Sequence, residues 1–175
     1  MLNMEKIKAH LLGKIISSND AEAFSLFKKS HFGNPIEEKI QYFLPEAIFL
    51  VEKEKMEVFS KGKKIPKKEL LKKLQRIDKK IQIKYLVFKD LRERGYIVKT
   101  ALKFGAEFRV YEKGEKPGEK HAKWVVFTDY ESNKLTWHEF SAKNRVAHST
   151  KKNLLLAVVD EEGDISYYEV RWIKP

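Results

Sequence analysis

Five segments in the second half of the chain most constrain its fold. YIVKT, AEFRVYEKG, AKWVVFTDY, NLLLAVVD and ISYYEVRWI are rich in Val, Ile, Phe, Tyr and Trp, whose branched or flat side chains suit a pleated surface. Such a succession of strands requires a sheet. Phe108 and Val110 alternate with Arg109 and Tyr111, so one face of that strand reads as apolar and the other as polar. EKGEKPGEK is a solvated loop between two strands, and DEEGD at 160–164 is a hairpin turn dense in acid. A helix, IKYLVFKDLRERG, precedes the strands; Arg92 and Arg94 fall in its last turn and Gly95 is a natural left-handed stop.

The first half reads as a small mixed unit. Asp20 is placed to cap a helix, AEAFSLFKK. HFGNP at 31–35 is a turn cluster. Pro45 suits the first turn of PEAIFLVEKEKM, and Met56 to Ser60 suits a short strand before a turn at Gly62. A third helix follows Pro66, with Leu70, Leu71, Leu74, Ile77 and Ile81 at helical spacing and Lys67, Lys68, Lys72, Lys73, Lys79 and Lys80 on its other side. The pattern changes near residue 82 without a low-complexity linker. The expectation is an α+β chain with a mixed domain over 1–82 and a sheet-based domain over 83–175, within what 175 residues can build.

Charge narrows the partners. Thirty-six basic against 25 acidic side chains give a net charge of +11, which points to a polyanion, most often nucleic acid. A thermophile's charged surface is the plain alternative. The chain has no cysteine, which excludes disulfides, thiolate metal sites and cysteine nucleophiles. The longest apolar run, Leu154 to Val159, is far short of a membrane span. MLNMEKIKAH lacks a signal peptide's apolar stretch. A soluble cytoplasmic protein with no membrane partner is expected.

No Gly-rich phosphate loop and no metal-ligand spacing is visible. Ser149 follows His148 directly, and adjacent residues do not face one another on a regular element. The remaining polar candidates are Tyr111, His121, Lys152, Arg145 and Arg171. Each also has an ordinary reading, as an amphipathic strand position, a loop residue or a surface cation.

Longer blocks join these candidates. YLVFKDLRERGYIVKTALKFGAEFRVYEKG (85–114), RVAHSTKKNLLLAVVDEEGDISYYEVRWIKP (145–175) and FGNPIEEKIQYFLPEAIFLVEKEKMEV (32–58) resemble the archaeal tRNA-intron endonucleases, the tRNA-splicing endonuclease family. The resemblance implies a nuclease-like fold for 83–175 and a mainly structural role for 1–82. It implies a catalytic trio, carried here by Tyr111, His121 and Lys152, with Lys151 the neighbouring alternative. It implies metal-independent cleavage of precursor tRNA in a bulge-helix-bulge shape, with no cofactor. The RNA's own 2′-hydroxyl attacks, which requires a base, an acid for the departing 5′-oxygen and positive charge on the crowded phosphate. The ends left are a 2′,3′-cyclic phosphate and a 5′-hydroxyl. Arg145 and Arg171 are implied to hold a bulged base between guanidinium planes. Asp160, Glu161, Glu162 and Asp164 are implied to dock on another subunit, and ISYYEVRWI to pair with its own copy. A homotetramer or a heterotetramer with a structural subunit follows from the same resemblance. Two rivals remain: a non-catalytic RNA-binding subunit, and a metal-dependent nuclease using acids such as Glu107 or Asp129.

Overall fold

The computed structural model describes residues 5–175. Residues 1–4 of MLNMEKIKAH lie outside the described residues. The chain forms two compact units, Met1–Tyr85 and Leu86–Pro175. Both combine helices with a sheet, so the fold is α+β, as expected from sequence.

The first unit holds β1 (Ile7–Leu12), β2 (Ile15–Ser18), α1 (Ala21–Ser30), β3 (Asn34–Ile36), β4 (Lys39–Tyr42), α2 (Leu44–Glu52), β5 (Met56–Ser60), β6 (Lys63–Lys64) and α3 (Lys67–Ile77). Its sheet has the order β3-β4-β2-β1-β5-β6. Along β1, Ile7, Ala9 and Leu11 are buried and alternate with exposed Lys8, His10 and Leu12, the period of two a one-sided sheet imposes. Leu70 and Leu74 of α3 are buried while its lysines face solvent.

Three details differ from the sequence reading. Asp20 precedes α1 but makes no side-chain cap. Its carboxylate instead accepts the Lys8 backbone N–H at 2.7 Å, fixing a strand rather than the helix end. The HFGNP cluster turns only as far as Gly33, because Asn34–Ile36 is strand β3. Gly33 has φ +74°, and an added Cβ would lie 2.2 Å from Ile40 Cγ2, so this close approach requires glycine. The third helix stops at Ile77. Asp78 is extended and its carboxylate accepts the Lys80 N–H at 2.9 Å, so Ile81 opens the next helix instead.

The second unit contains most of α4 (Ile81–Glu93), then β7 (Ile97–Thr100), β8 (Phe108–Tyr111), β9 (Trp124–Tyr130), α5 (Trp137–Ser149), β10 (Asn153–Val159) and β11 (Ile165–Val170). The sheet order is β11-β10-β9-β8-β7. β9 and β10 run parallel, whereas the other neighbours are antiparallel. A parallel pair needs a crossover, and α5 supplies it. On one face Phe88 of α4 packs against Phe108, with ring centroids 6.1 Å apart. On the other, Val125, Phe127 and Leu154 form a core with Ala147 of α5. Helix α5 is the element the strand pattern did not reveal. Its start is a reciprocal capping box, in which Thr136 Oγ1 accepts the Glu139 N–H and Glu139 accepts the Thr136 N–H.

Candidate active site

The register brings several chain ends to one end of this sheet. β8 is antiparallel to β9, β9 is parallel to β10, and β10 is antiparallel to β11. The end of β8, the starts of β9 and β10, the end of α5 and the end of β11 therefore lie together. Tyr111 is the last residue of β8, His121 lies in the loop entering β9, and Lys152 immediately precedes β10. The acidic turn at 160–164 lies at the opposite end, between the end of β10 and the start of β11.

Tyr111 is not the polar-surface residue that strict alternation suggests: only 4% of it is exposed. Phe108 and Val110 are buried on one face of the strand and Tyr111 on the other, so both faces are covered at this end. Arg109, two residues before Tyr111, shares its face. Arg109 is paired with Val125, and Val125 with Leu154, both members of the core against α5. The Arg109 Nε is buried and has no hydrogen-bond partner among the described residues. Beside Arg109 across the strands is Lys99, 3% exposed.

Lys152 is half-buried. Its Nζ donates to the Thr150 carbonyl at 2.9 Å and lies 5.6 Å from the centre of the Phe104 ring. Burial, followed by the nearby Arg109 and Lys103 cations, holds its ammonium below the usual lysine range. Lys151 differs: it is exposed and left-handed, with φ +55°. That conformation makes the corner between α5 and β10. His121 is exposed, with no side-chain hydrogen bond or ion pair among the described residues.

Arg145 and Arg171 are brought together. Both line a cleft of about 570 Å³ between α5, from Phe140 to His148, and the end of β11 at Val170. His148 and Trp172 also line it, their ring centroids 4.8 Å apart. A second cleft of about 270 Å³ shares Asn144, His148, Arg171 and Trp172 and is bounded by Lys151 and Lys152. Neither cleft includes Tyr111 or His121. Arg171 is ion-paired with Glu169. Glu169 also accepts the Trp124 indole N–H at 2.6 Å, and that bond, then Arg171, holds its carboxyl below the usual range. Arg145 is exposed and has no ion pair among the described residues.

Arg109 is a site residue beyond those expected from sequence. Its signal was local: an arginine two residues from Tyr111 on a strand whose apolar partners are Phe108 and Val110. His148 and Ser149 are consecutive on α5. The His148 ring lies tilted against Trp172 and Ser149 donates to the Val146 carbonyl at 3.2 Å, so they form no nucleophilic pair. Among the described residues no cluster of three or more His, Cys, Asp or Glu could hold a metal ion. No described helix is long and apolar enough to cross a membrane.

Comparison with known proteins agrees along nearly the whole chain. The profile of the tRNA intron endonuclease catalytic C-terminal domain matches residues 81–167, and that of the family's N-terminal domain matches 7–71. The tRNA-splicing endonuclease of Thermococcus gammatolerans is 41% identical over 166 residues, covering 94% of this chain and 97% of that protein. That of Methanothermobacter thermautotrophicus is 42% identical over 150 residues, covering 86% and 87%. That of Nanoarchaeum equitans is 44% identical over 138 residues, covering 75% and 88%. The chain belongs to the tRNA intron endonuclease family, and its second unit carries that family's catalytic domain.

Proposed function

We propose that this chain cuts precursor tRNA at its intron boundaries within a bulge-helix-bulge, using Tyr111, His121 and Lys152. The observation that carries the reading is the shared sheet end, which has the last residue of β8, the loop entering β9 and the residue before β10. The 2′-oxygen forms a bond to the adjacent phosphorus while the bond from phosphorus to the 5′-oxygen breaks. Tyr111 takes or orients the 2′-hydroxyl proton. His121 gives a proton to the departing 5′-oxygen, a task that suits a solvent-reachable imidazole. Lys152 supplies positive charge to the phosphate as negative charge builds on it. Lys152 is preferred over Lys151 because it is half-buried beside Arg109, whereas Lys151 forms an exposed corner. RNA supplies its own nucleophile, and the products are a 2′,3′-cyclic phosphate and a 5′-hydroxyl.

Arg145 and Arg171 border one cleft, which supports their role in holding a bulged base. Two cuts per intron require two such sites. The working enzyme is therefore an assembly with at least two catalytic chains, a homotetramer or a heterotetramer with a structural subunit. Edge strand β11 and the 160–164 turn are the surfaces proposed for it.

The test is cleavage of a bulge-helix-bulge RNA by the purified chain in excess chelator, with analysis of product ends. Two cuts with cyclic-phosphate ends are expected. Activity that disappears with chelation would sink the metal-independent mechanism, and no cut with or without divalent metal would indicate a missing partner or a non-catalytic subunit.

A further inference from the structure

The positive charge of this protein is not spread over its surface. Residues 61–84 hold eleven basic and two acidic side chains, a net of +9. Residues 1–60 carry eight basic and nine acidic, net −1, and residues 85–175 carry 17 and 14, net +3. Nearly the whole excess thus sits in one stretch of the first unit, running from the β5–β6 turn through α3 to the start of α4. A generally lysine-rich surface would not leave the first sixty residues net negative.

Part of this charge is neutralised locally. Lys64 pairs with Glu57, Lys67 with Glu52, Lys73 with Glu69 and Lys84 with Asp78. Lys68, Lys72, Arg76, Lys79 and Lys80 are exposed and have no ion-pair partner among the described residues. Lys68, Lys72 and Arg76 fall at four-residue intervals, so they form one stripe along the helix. Like charges at that spacing work against the helix, and nothing in the packing of α3 calls for them: it is Leu70 and Leu74 that are buried. The stripe covers ~12 Å from Lys68 to Arg76 at ~1.5 Å per residue, and Lys79 and Lys80 lie in the turn that follows the helix.

We propose that this face of α3 binds the phosphate backbone of RNA, as a binding surface on a unit separate from the cleaving one. The inference rests on the precursor-tRNA reading for the identity of the RNA. A polyanion fits the stripe better than the 160–164 turn of a second copy does. That turn concentrates four carboxylates in five residues, and one of them, Asp160, is engaged by its own backbone. A row of three cations at regular spacing, with two more in the following turn, matches an extended, regularly charged strand. Such phosphate interactions give affinity without sequence preference and release counterions.

The test uses the full chain and the triple substitution Lys68→Gln, Lys72→Gln, Arg76→Gln, which keeps good helix formers at exposed positions. Binding to a bulge-helix-bulge RNA with extended flanking duplex is measured across a salt series, with the mass of the assembly in solution recorded in parallel. Removing one cation that neutralises a phosphate lowers the slope of log K against log salt by ~0.7–0.9. A slope shallower by about 2 in the variant, at unchanged assembly mass, is the expected result. An unchanged slope overturns the inference. An unchanged slope with a fall in assembly mass overturns it too, and assigns the face to another subunit. The precursor-tRNA reading stands or falls separately, on whether the unsubstituted chain cuts the same RNA.

Discussion

Arg109 on β8 and Lys152 at the start of β10 hold two like charges near one another on the α5 side of a single sheet, and Arg109 is one cause of the low proton affinity of Lys152. Folding alone would not favour this arrangement, since burial and a like charge both disfavour the ammonium. It is useful where an anion arrives between the two.

Lys152→Met should therefore separate activity from stability. The folded-state pKa lies below the unfolded one, so the unfolded chain binds more protons between the two values. The resulting penalty on folding is present at neutral pH, fades as pH rises from the lowered folded value, and is gone above ~10.4, the range of a free lysine. The substitution should cut the cleavage rate by about 10²–10³-fold, as loss of a group stabilising transition-state charge does. Thermal melting at pH 7 should rise rather than fall. A lower melting temperature would show that Lys152 stabilises the fold.

Arg109→Met should move the pH dependence. Removing the neighbouring cation favours the ammonium of Lys152 and raises its pKa. If cleavage needs protonated Lys152, the alkaline limb of the rate profile shifts to higher pH. A limb that stays in place or moves down would detach Arg109 from Lys152.

Arg145→Ala should reduce discrimination between bulged RNA and plain duplex, because its cleft also holds Arg171 and an exposed Trp172. Equal losses on both RNAs, measured by competition binding, would demote Arg145 to a phosphate-binding cation.

Two substitutions probe the scaffold. Thr136→Ala removes the capping-box acceptor at the start of α5 and should cost ~1 kcal/mol, or about 2–4 °C in melting temperature. Gly33→Ala forces a Cβ toward buried Ile40 at a left-handed position. It should cost at least ~2 kcal/mol, read by denaturant unfolding. Near-neutral behaviour would show that the β3–β4 hairpin yields easily.

The second unit was legible because its strands are long or strongly β-branched, as in β9 and β10. The strands of the first unit are different. β2, β3 and β4 have four, three and four residues, too few for alternation to stand out from a turn. Helix α5 escaped notice because Ala147 is its one buried residue and Trp137 at its start is 81% exposed, so it shows little apolar periodicity. Its capping box was present in the sequence and marked its beginning. Among the candidate residues, the pairing of Arg145 with Arg171 in one cleft and the closeness of Arg109 to Lys152 depend on strand register. No spacing along the chain encodes either.

The acidic turn divides its labour among its residues. Asp160 spends its carboxylate on the backbone, accepting the N–H groups of Glu162 and Asp164, each at 2.9 Å, while its own N–H donates to the Asp164 carbonyl. Gly163 takes the left-handed corner at φ +92°. Shape therefore resides in Asp160 and Gly163, and outward charge in Glu161, Glu162 and Asp164. The charge this turn presents can be rewritten by changing three side chains, leaving the loop that carries them intact.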